Sequence, residues 1–263
     1  MKDNPVLDLL MSRASIRRYK SDDVPTDLVE AVVRAGRQAP FTGQMYSVIA
    51  TRDPEKRAKL PPLLGHLATA APVFFLLCMD LRKLEKFVVA GGGRMQAADL
   101  SLLFWGIQDV AYVGENMVIA AESLGLGTCF LGSAPWVSRQ LAELFDLPER
   151  VYPIVGMVMG YPAERPPVRP RLPLRYVLHW DGYRDLSRDD VDAALEVMDA
   201  GLIREGYYHK YDASADPGRI AEDYGWREHL PYKYGNLPRD LRDLLAALSE
   251  GGIDLIPRGD GRE

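Results

Sequence analysis

Within residues 107–123 the polar side chains Gln108, Asp109, Glu115, Asn116, Glu122 and Ser123 fall on one narrow arc at roughly 100° per residue. The rest of that circumference is apolar, a pattern that predicts a helix buried on most sides. Ala111, Gly114, Val118, Ala121 and Gly125 form a stripe of small residues along it, where a second helix is expected to approach closely. Gly125 and Gly127 supply the stop, because glycine tolerates the left-handed conformation at a helix C-terminus. Residues 128–131 then predict a short buried strand that ends at Gly132 and Ser133.

On either side the pattern is simpler. Residues 5–11 open with a short amphipathic stretch, and Pro25-Thr26-Asp27 starts a helix that stops near Gly36. A loop follows from Ala39 to Gln44, marked by its proline and glycine. Residues 46–52 predict a strand, and Asp53-Pro54-Glu55 starts a short helix. Residues 72–79 are a continuous apolar run of strand length, as expected of a strand covered on both faces. Residues 81–105 predict an excursion that is helical at either end, with a turn at Gly91 to Gly93. The triple glycine lacks the ending of a phosphate-binding P-loop. A helix over 138–145 and a buried strand over 152–161 complete the regular part. From Pro162 to Pro173 five prolines are interspersed with Arg165, Arg169 and Arg171, which predicts an extended arm. The tail predicts helices over 189–202 and 238–248, separated by a surface loop over 206–234 rich in tyrosine and glycine.

Composition narrows the function classes. The chain has 263 residues, 47% hydrophobic, with a formal net charge of −5 spread along its length. That gives no electrostatic case for nucleic acid or an anionic membrane. No apolar run reaches the ~20 residues that span a bilayer, and the first fifteen residues are too polar for a signal peptide. A cytoplasmic protein is therefore expected. Cys78 and Cys129, the only cysteines, sit in apolar runs and predict core residues. His66, His179, His209 and His229 are scattered, with no pair at metal-ligand spacing. The glycine cluster around residues 125–132 follows a helix and precedes a strand, the reverse of the dinucleotide-binding order.

One cluster carries candidate chemistry. Arg13, Ser15 and Arg17 alternate, so in an extended segment their side chains share a side. Two guanidiniums and a hydroxyl suit a phosphate or a carbonyl-rich ring, since arginine offers planar forked donors. Arg169 and Arg171 show the same alternation in the proline arm.

Taken in order, RASIRRY from Arg13, APFTGQM from Ala39, NMVIAAESLGLGTCFLGS from Asn116, PIVGMVMGYPAE from Pro153 and RPRLPLRYVLHWDGY from Arg169 resemble the nitroreductase superfamily, specifically its NfsA/Frp-type group. The likeness covers about the first 185 residues. It implies an α+β sandwich, a central mostly antiparallel sheet flanked by helices, with the C-terminal arm exchanged in a homodimer. The implied division is an FMN-binding core over 1–185, arm 162–185 included, and a helical extension over 186–263.

The resemblance also implies bound FMN, with NADPH or NADH as electron donor. Arg13, Ser15 and Arg17 would hold the flavin phosphate and ribityl chain. Pro40, Phe41, Thr42 and Gln44 would line the flavin from the first loop. Leu131, Gly132 and Ser133 would present backbone to the ring, and Arg169 and Arg171 would reach the phosphate. No catalytic side chain and no metal is expected, because the flavin carries the chemistry. Arg204, Lys210 and Arg219 are the candidates for a nucleotide 2′-phosphate. The expected reaction is ping-pong hydride transfer to flat, electron-poor small molecules such as nitroaromatics, quinones or free flavin. A reductase or dehydrogenase of one metabolite and a flavin store without turnover are the alternatives.

Overall fold

A computed structural model describes residues 4–208, 223–237 and 241–255. Two compact units divide the chain, Met1–Pro166 with Asp240–Glu263, and Pro167–Arg239. The first contains helices α1 (Pro5–Ser12), α2 (Thr26–Gly36), α3 (Pro54–Ala58), α4 (Pro61–Leu64), α5 (Leu81–Ala90), α6 (Asp99–Ser123) and α7 (Ser138–Phe145). Its strands are β1 (Tyr46–Thr51), β2 (Val73–Asp80), β3 (Gly127–Leu131) and β4 (Val151–Gly160). The second holds α8 (Arg188–Arg204) and α9 (Trp226–Gly235), and α10 (Arg242–Glu250) belongs again to the first.

The four strands form one antiparallel sheet in the order β1-β2-β4-β3. Strand β2 is buried along its whole length, as its unbroken apolar run requires. Because successive strand side chains point to opposite faces, it supplies two cores. Val73, Phe75, Leu77 and Met79 join Val110, Val113 and Met117 of α6. Phe74, Leu76 and Cys78 join Leu60, Leu64, Leu141 and Phe145 from the helices of the other face. Cys78 and Cys129 are both buried and unpaired, and burial pushes the Cys78 thiol up to about 12, with Asp80 adding to it. Pro153 lacks the N–H a central strand needs. It sits beside the register shift at Leu77/Cys78, beyond the stretch of β4 that pairs with β3.

Helix α6 ends as its glycine predicts. Gly125 has φ +76, its N–H bonds the Glu122 carbonyl at 3.0 Å, and the Leu126 N–H bonds the Ala121 carbonyl at 2.9 Å. This pair of bonds satisfies carbonyls that a helix end otherwise leaves open.

Three expectations need correction. Helix α6 is not buried on most sides: within 107–123 Ile107, Ala111 and Tyr112 are exposed, as are Leu100, Phe104 and Trp105 before them. The small residue Gly114 faces the sheet, where an added Cβ would lie 3.1 Å from Leu77 and 3.3 Å from Phe130. The helix that does approach is α2, and it uses its own Gly36, whose added Cβ would lie 2.5 Å from Met117 Cγ and 3.2 Å from the Val113 carbonyl. Nor is the tyrosine-rich stretch a surface loop throughout. Tyr207 and Tyr208 are buried with Met198 and Leu202, and residues 226–235 are helical.

The two compact units part at 166/167 and 239/240. Helix α10 stays with the sheet because Leu248 and Ile253 enter its core and the Arg150 guanidinium bonds the Gly252 carbonyl. In the second unit, α8 begins with a reciprocal cap between Ser187 and Asp190. Pro170 closes on Gly201, where an added Cβ would lie 2.8 Å from its ring. His229 is buried and stacks on Tyr208 with ring centres 4.2 Å apart. Among the described residues no helix is long and apolar enough to cross a membrane, and no acid, histidine and cysteine cluster suits a metal ion.

Candidate functional site

After α1 the chain runs extended and lies along the sheet. The Ile16 N–H bonds the Thr128 carbonyl at 2.9 Å, and the Lys20 N–H bonds the Tyr161 carbonyl at 2.8 Å. Tyr19 bridges Pro162, and its hydroxyl bonds the Ile16 carbonyl at 2.6 Å. Ile16 is buried between the half-buried Ser15 and Arg17, so the alternation read from the sequence sets the polar side chains apart from the core. The absence of a side chain at Gly127 makes this docking possible: an added Cβ would lie 2.5 Å from Ile16 Cγ1.

Arg13 and Arg17 lie on either side of the buried Ile16, in the segment that is tied to β3. Burial pushes the Cys129 thiol up, and the positive charges of Arg17 and Arg13 both pull it back. Arg13 is oriented by Glu115 on α6, with Nε 3.1 Å from Oε1. Glu122, about two turns further along the same face of α6, is raised to about 7 by burial, against the pull of Arg13 and with the push of Glu115.

The other side of the segment is held by Glu164. Its Oε1 accepts the Arg17 N–H at 2.7 Å and the Arg18 N–H at 3.0 Å, and its Oε2 accepts Arg18 Nε at 3.0 Å. Burial alone would raise this carboxyl, but the three bonds outweigh it and hold it below the usual range. A carboxyl more acidic when folded stabilises fully above its unfolded pKa, about 4.3, and loses that contribution as pH falls through the folded value. Glu164→Gln is therefore expected to lower the melting temperature at pH 7, by the equivalent of ~1–3 kcal/mol. The gap to the wild type is expected to shrink toward pH 3, and thermal melts of both proteins at the two pH values check it.

The first loop is exposed at Pro40, Phe41, Thr42 and Gln44. Gln44 adopts a left-handed φ of +50. Beneath the loop, Asp109 of α6 is completely buried and accepts three backbone N–H groups: Thr42 at 2.7 Å, Met45 at 2.9 Å and Gly43 at 3.2 Å. Sequence reasoning placed Asp109 on a polar arc and missed its role, as it missed Glu115 and Glu164. At the far end of β3, Leu131 is buried while Gly132 and Ser133 are exposed, and an added Cβ on Gly132 would meet nothing within 4 Å.

In the second unit the Arg169 guanidinium lies 3.9 Å from the centre of the Tyr207 ring. Arg171 is exposed and bonds the carbonyls of Arg169 at 3.0 Å and Pro170 at 3.2 Å. A cavity of about 380 Å³ is lined there by Arg169, Tyr207, Tyr208, Trp226, His229 and Lys233 among others. Arg204 is exposed in the last turn of α8, whereas Lys210, Arg219 and His209 lie outside the described residues.

The chain is similar to several known proteins. A CR(VI) reductase of Pseudomonas sp. (strain G-1) is 34% identical over 79% of this chain and 87% of its own length. An FMN reductase [NAD(P)H] of Bacillus subtilis is 31% identical over 74% of this chain and 80% of its own length. The solved structure of B. megaterium NfrA2 superposes with a TM-score of 0.83, at 27% identity, over 97% of this chain and 100% of that one. Residues 10–161, from α1 to the exit of β4 and including both loops and the arginine segment, match the profile described as the nitroreductase family, and the chain belongs to that family.

Proposed function

We propose that this protein is an FMN-dependent NAD(P)H oxidoreductase that reduces flat, electron-poor acceptors such as nitroaromatics, quinones or free flavin. The observation that supports the reading is the segment anchored to β3 through Ile16, on which Arg13, Ser15 and Arg17 alternate with the buried side. The residues present fit FMN. Two guanidiniums offer forked donors to a phosphate dianion, and the open backbone at Gly132 admits a flat ring.

FMN, when bound, would supply the two-electron redox chemistry between a nicotinamide and the acceptor. The chain's part is to bind and orient. Arg13, Ser15 and Arg17 would hold the phosphate and ribityl chain, and Arg169 and Arg171 are the arm's candidates for a phosphate. Pro40, Phe41, Thr42 and Gln44 line the flavin on one side, and Leu131, Gly132 and Ser133 present backbone to it. Holding both reactants in one orientation removes the entropy of bringing them together.

A homodimer follows from the same reading. The exposed Leu100, Phe104, Ile107 and Tyr112 of α6, with Val6, Leu10 and Met11 of α1, are apolar surface that a second copy covers. The proline arm exchanges between the two copies, and the protein works in the cytoplasm.

The pure protein is expected to be yellow, or to become so with FMN, and to bleach when mixed anaerobically with NADPH or NADH. A protein that stays colourless with FMN overturns the reading. Yellow protein that neither nicotinamide bleaches supports a flavin store instead.

A further inference from the structure

Between its anchors the loop that begins at Ala39 has little to hold it. At one end the Ala39 N–H bonds the Gly36 carbonyl at 3.0 Å, and at the other the Met45 carbonyl accepts the Asp80 N–H at 3.0 Å. Among the described residues the only hydrogen bonds to the stretch between them come from Asp109, through the N–H groups of Thr42 and Gly43, with a third to Met45. A fully buried carboxylate is costly unless hydrogen bonds satisfy it. These three N–H groups do so, and in exchange the carboxylate fixes the loop. Gln44, the residue skipped, is turned outward in a left-handed conformation. Helix α6 is the long element packed on the sheet, so the clamp ties an exposed loop to a helix seated in the core.

We propose that Asp109 is the positioning residue of the flavin site: by gripping three amides of the 42–45 turn it holds Thr42 and Gln44 where they line the ring, without touching the ring itself. The proposal rests on the function proposed above. Asp109→Asn keeps the shape but turns one acceptor oxygen into a donor, so at best two of the three bonds survive. In the cofactor-free protein, hydrogen exchange at one or more of the Thr42, Gly43 and Met45 amides is expected to speed up about tenfold. The FMN dissociation constant is expected to rise about tenfold, with an altered circular dichroism of the bound flavin. Val110→Ala, which opens a cavity one residue away and leaves the Asp109 carboxylate in place, serves as the control for destabilisation alone. It is expected to lower the melting temperature while leaving FMN affinity within about threefold.

Wild-type protein supplies a readout that needs no variant. Its cofactor-free form is expected to protect the Thr42, Gly43 and Met45 amides and to leave those of Phe41 and Gln44 fast. Equal exchange at all five overturns the clamp. Unchanged FMN affinity in Asp109→Asn, beside a wild type that binds FMN, overturns the positioning role alone. A wild type that binds no FMN overturns the proposed function and this role with it.

Discussion

Alanine at Arg13 is expected to weaken FMN binding by about 10- to 100-fold, the equivalent of one charge-assisted hydrogen bond of ~1.5–3 kcal/mol. Arg13 reaches its place from an extended segment whose backbone is tied to the sheet, so the loss falls on the guanidinium and not on the fold. The variant also frees Glu115, its partner at 3.1 Å, and removes the positive charge that offsets the burial of Glu122. Two carboxylates without their cation repel a phosphate, which adds to the loss at high pH, where Glu122 is charged. Titration with FMN, followed by quenching of flavin fluorescence, reads both effects.

Valine at Gly127 is expected to have the second large effect, and by a different route. The first added carbon would lie 2.5 Å from Ile16 Cγ1 and 2.9 Å from Ile16 Cβ. Ile16 Cβ is branched and close to its backbone, so it cannot swing away as the tip of a flexible side chain could. The 13–19 segment must lift from β3, with the hydrogen bond from Ile16 to Thr128 and the placement of both arginines. Overpacking of this kind costs ~1–3 kcal/mol, a fall of roughly 5 °C in melting temperature for a chain of this size. FMN affinity is expected to fall at least as far as in Arg13→Ala, because Arg13, Ser15 and Arg17 move together. Alanine at Gly132, with nothing within 4 Å of its added carbon, is expected to leave the melting temperature unchanged.

Features set by local chemistry were legible in the residues. Strand β2 reads from its apolar run because both of its faces are covered, and the end of α6 reads from Gly125 because few other residues adopt its φ. The Arg13-Ser15-Arg17 alternation reads because an extended chain sorts its side chains by parity, and Ile16 is indeed the buried one. The resemblance added the family and the ordered set of loops.

Features set by distant partners were not legible. Asp109 looks like a solvated charge on a helix because the amides it binds lie more than sixty positions earlier in the chain. Glu164 resembles an ordinary residue of a proline arm, yet its partners are Arg17 and Arg18 at the other end of the unit. Tyr207 and Tyr208 sit in a polar stretch, and only their packing on Met198 and Leu202 buries them. Helix α6 looked enclosed because its exposed apolar residues and its core residues are chemically alike.

The central claim is that the arginine segment is a seat for a phosphate, and comparison of FMN with riboflavin tests it most directly. The two ligands share the ring and ribityl chain and differ only in the phosphate ester. The cofactor-free wild-type protein is expected to bind FMN at least about 100-fold more tightly than riboflavin, the worth of two or more charge-assisted bonds, and Arg13→Ala with Arg17→Ala to erase most of that difference. Equal affinities for the two ligands in the wild type would contradict the account.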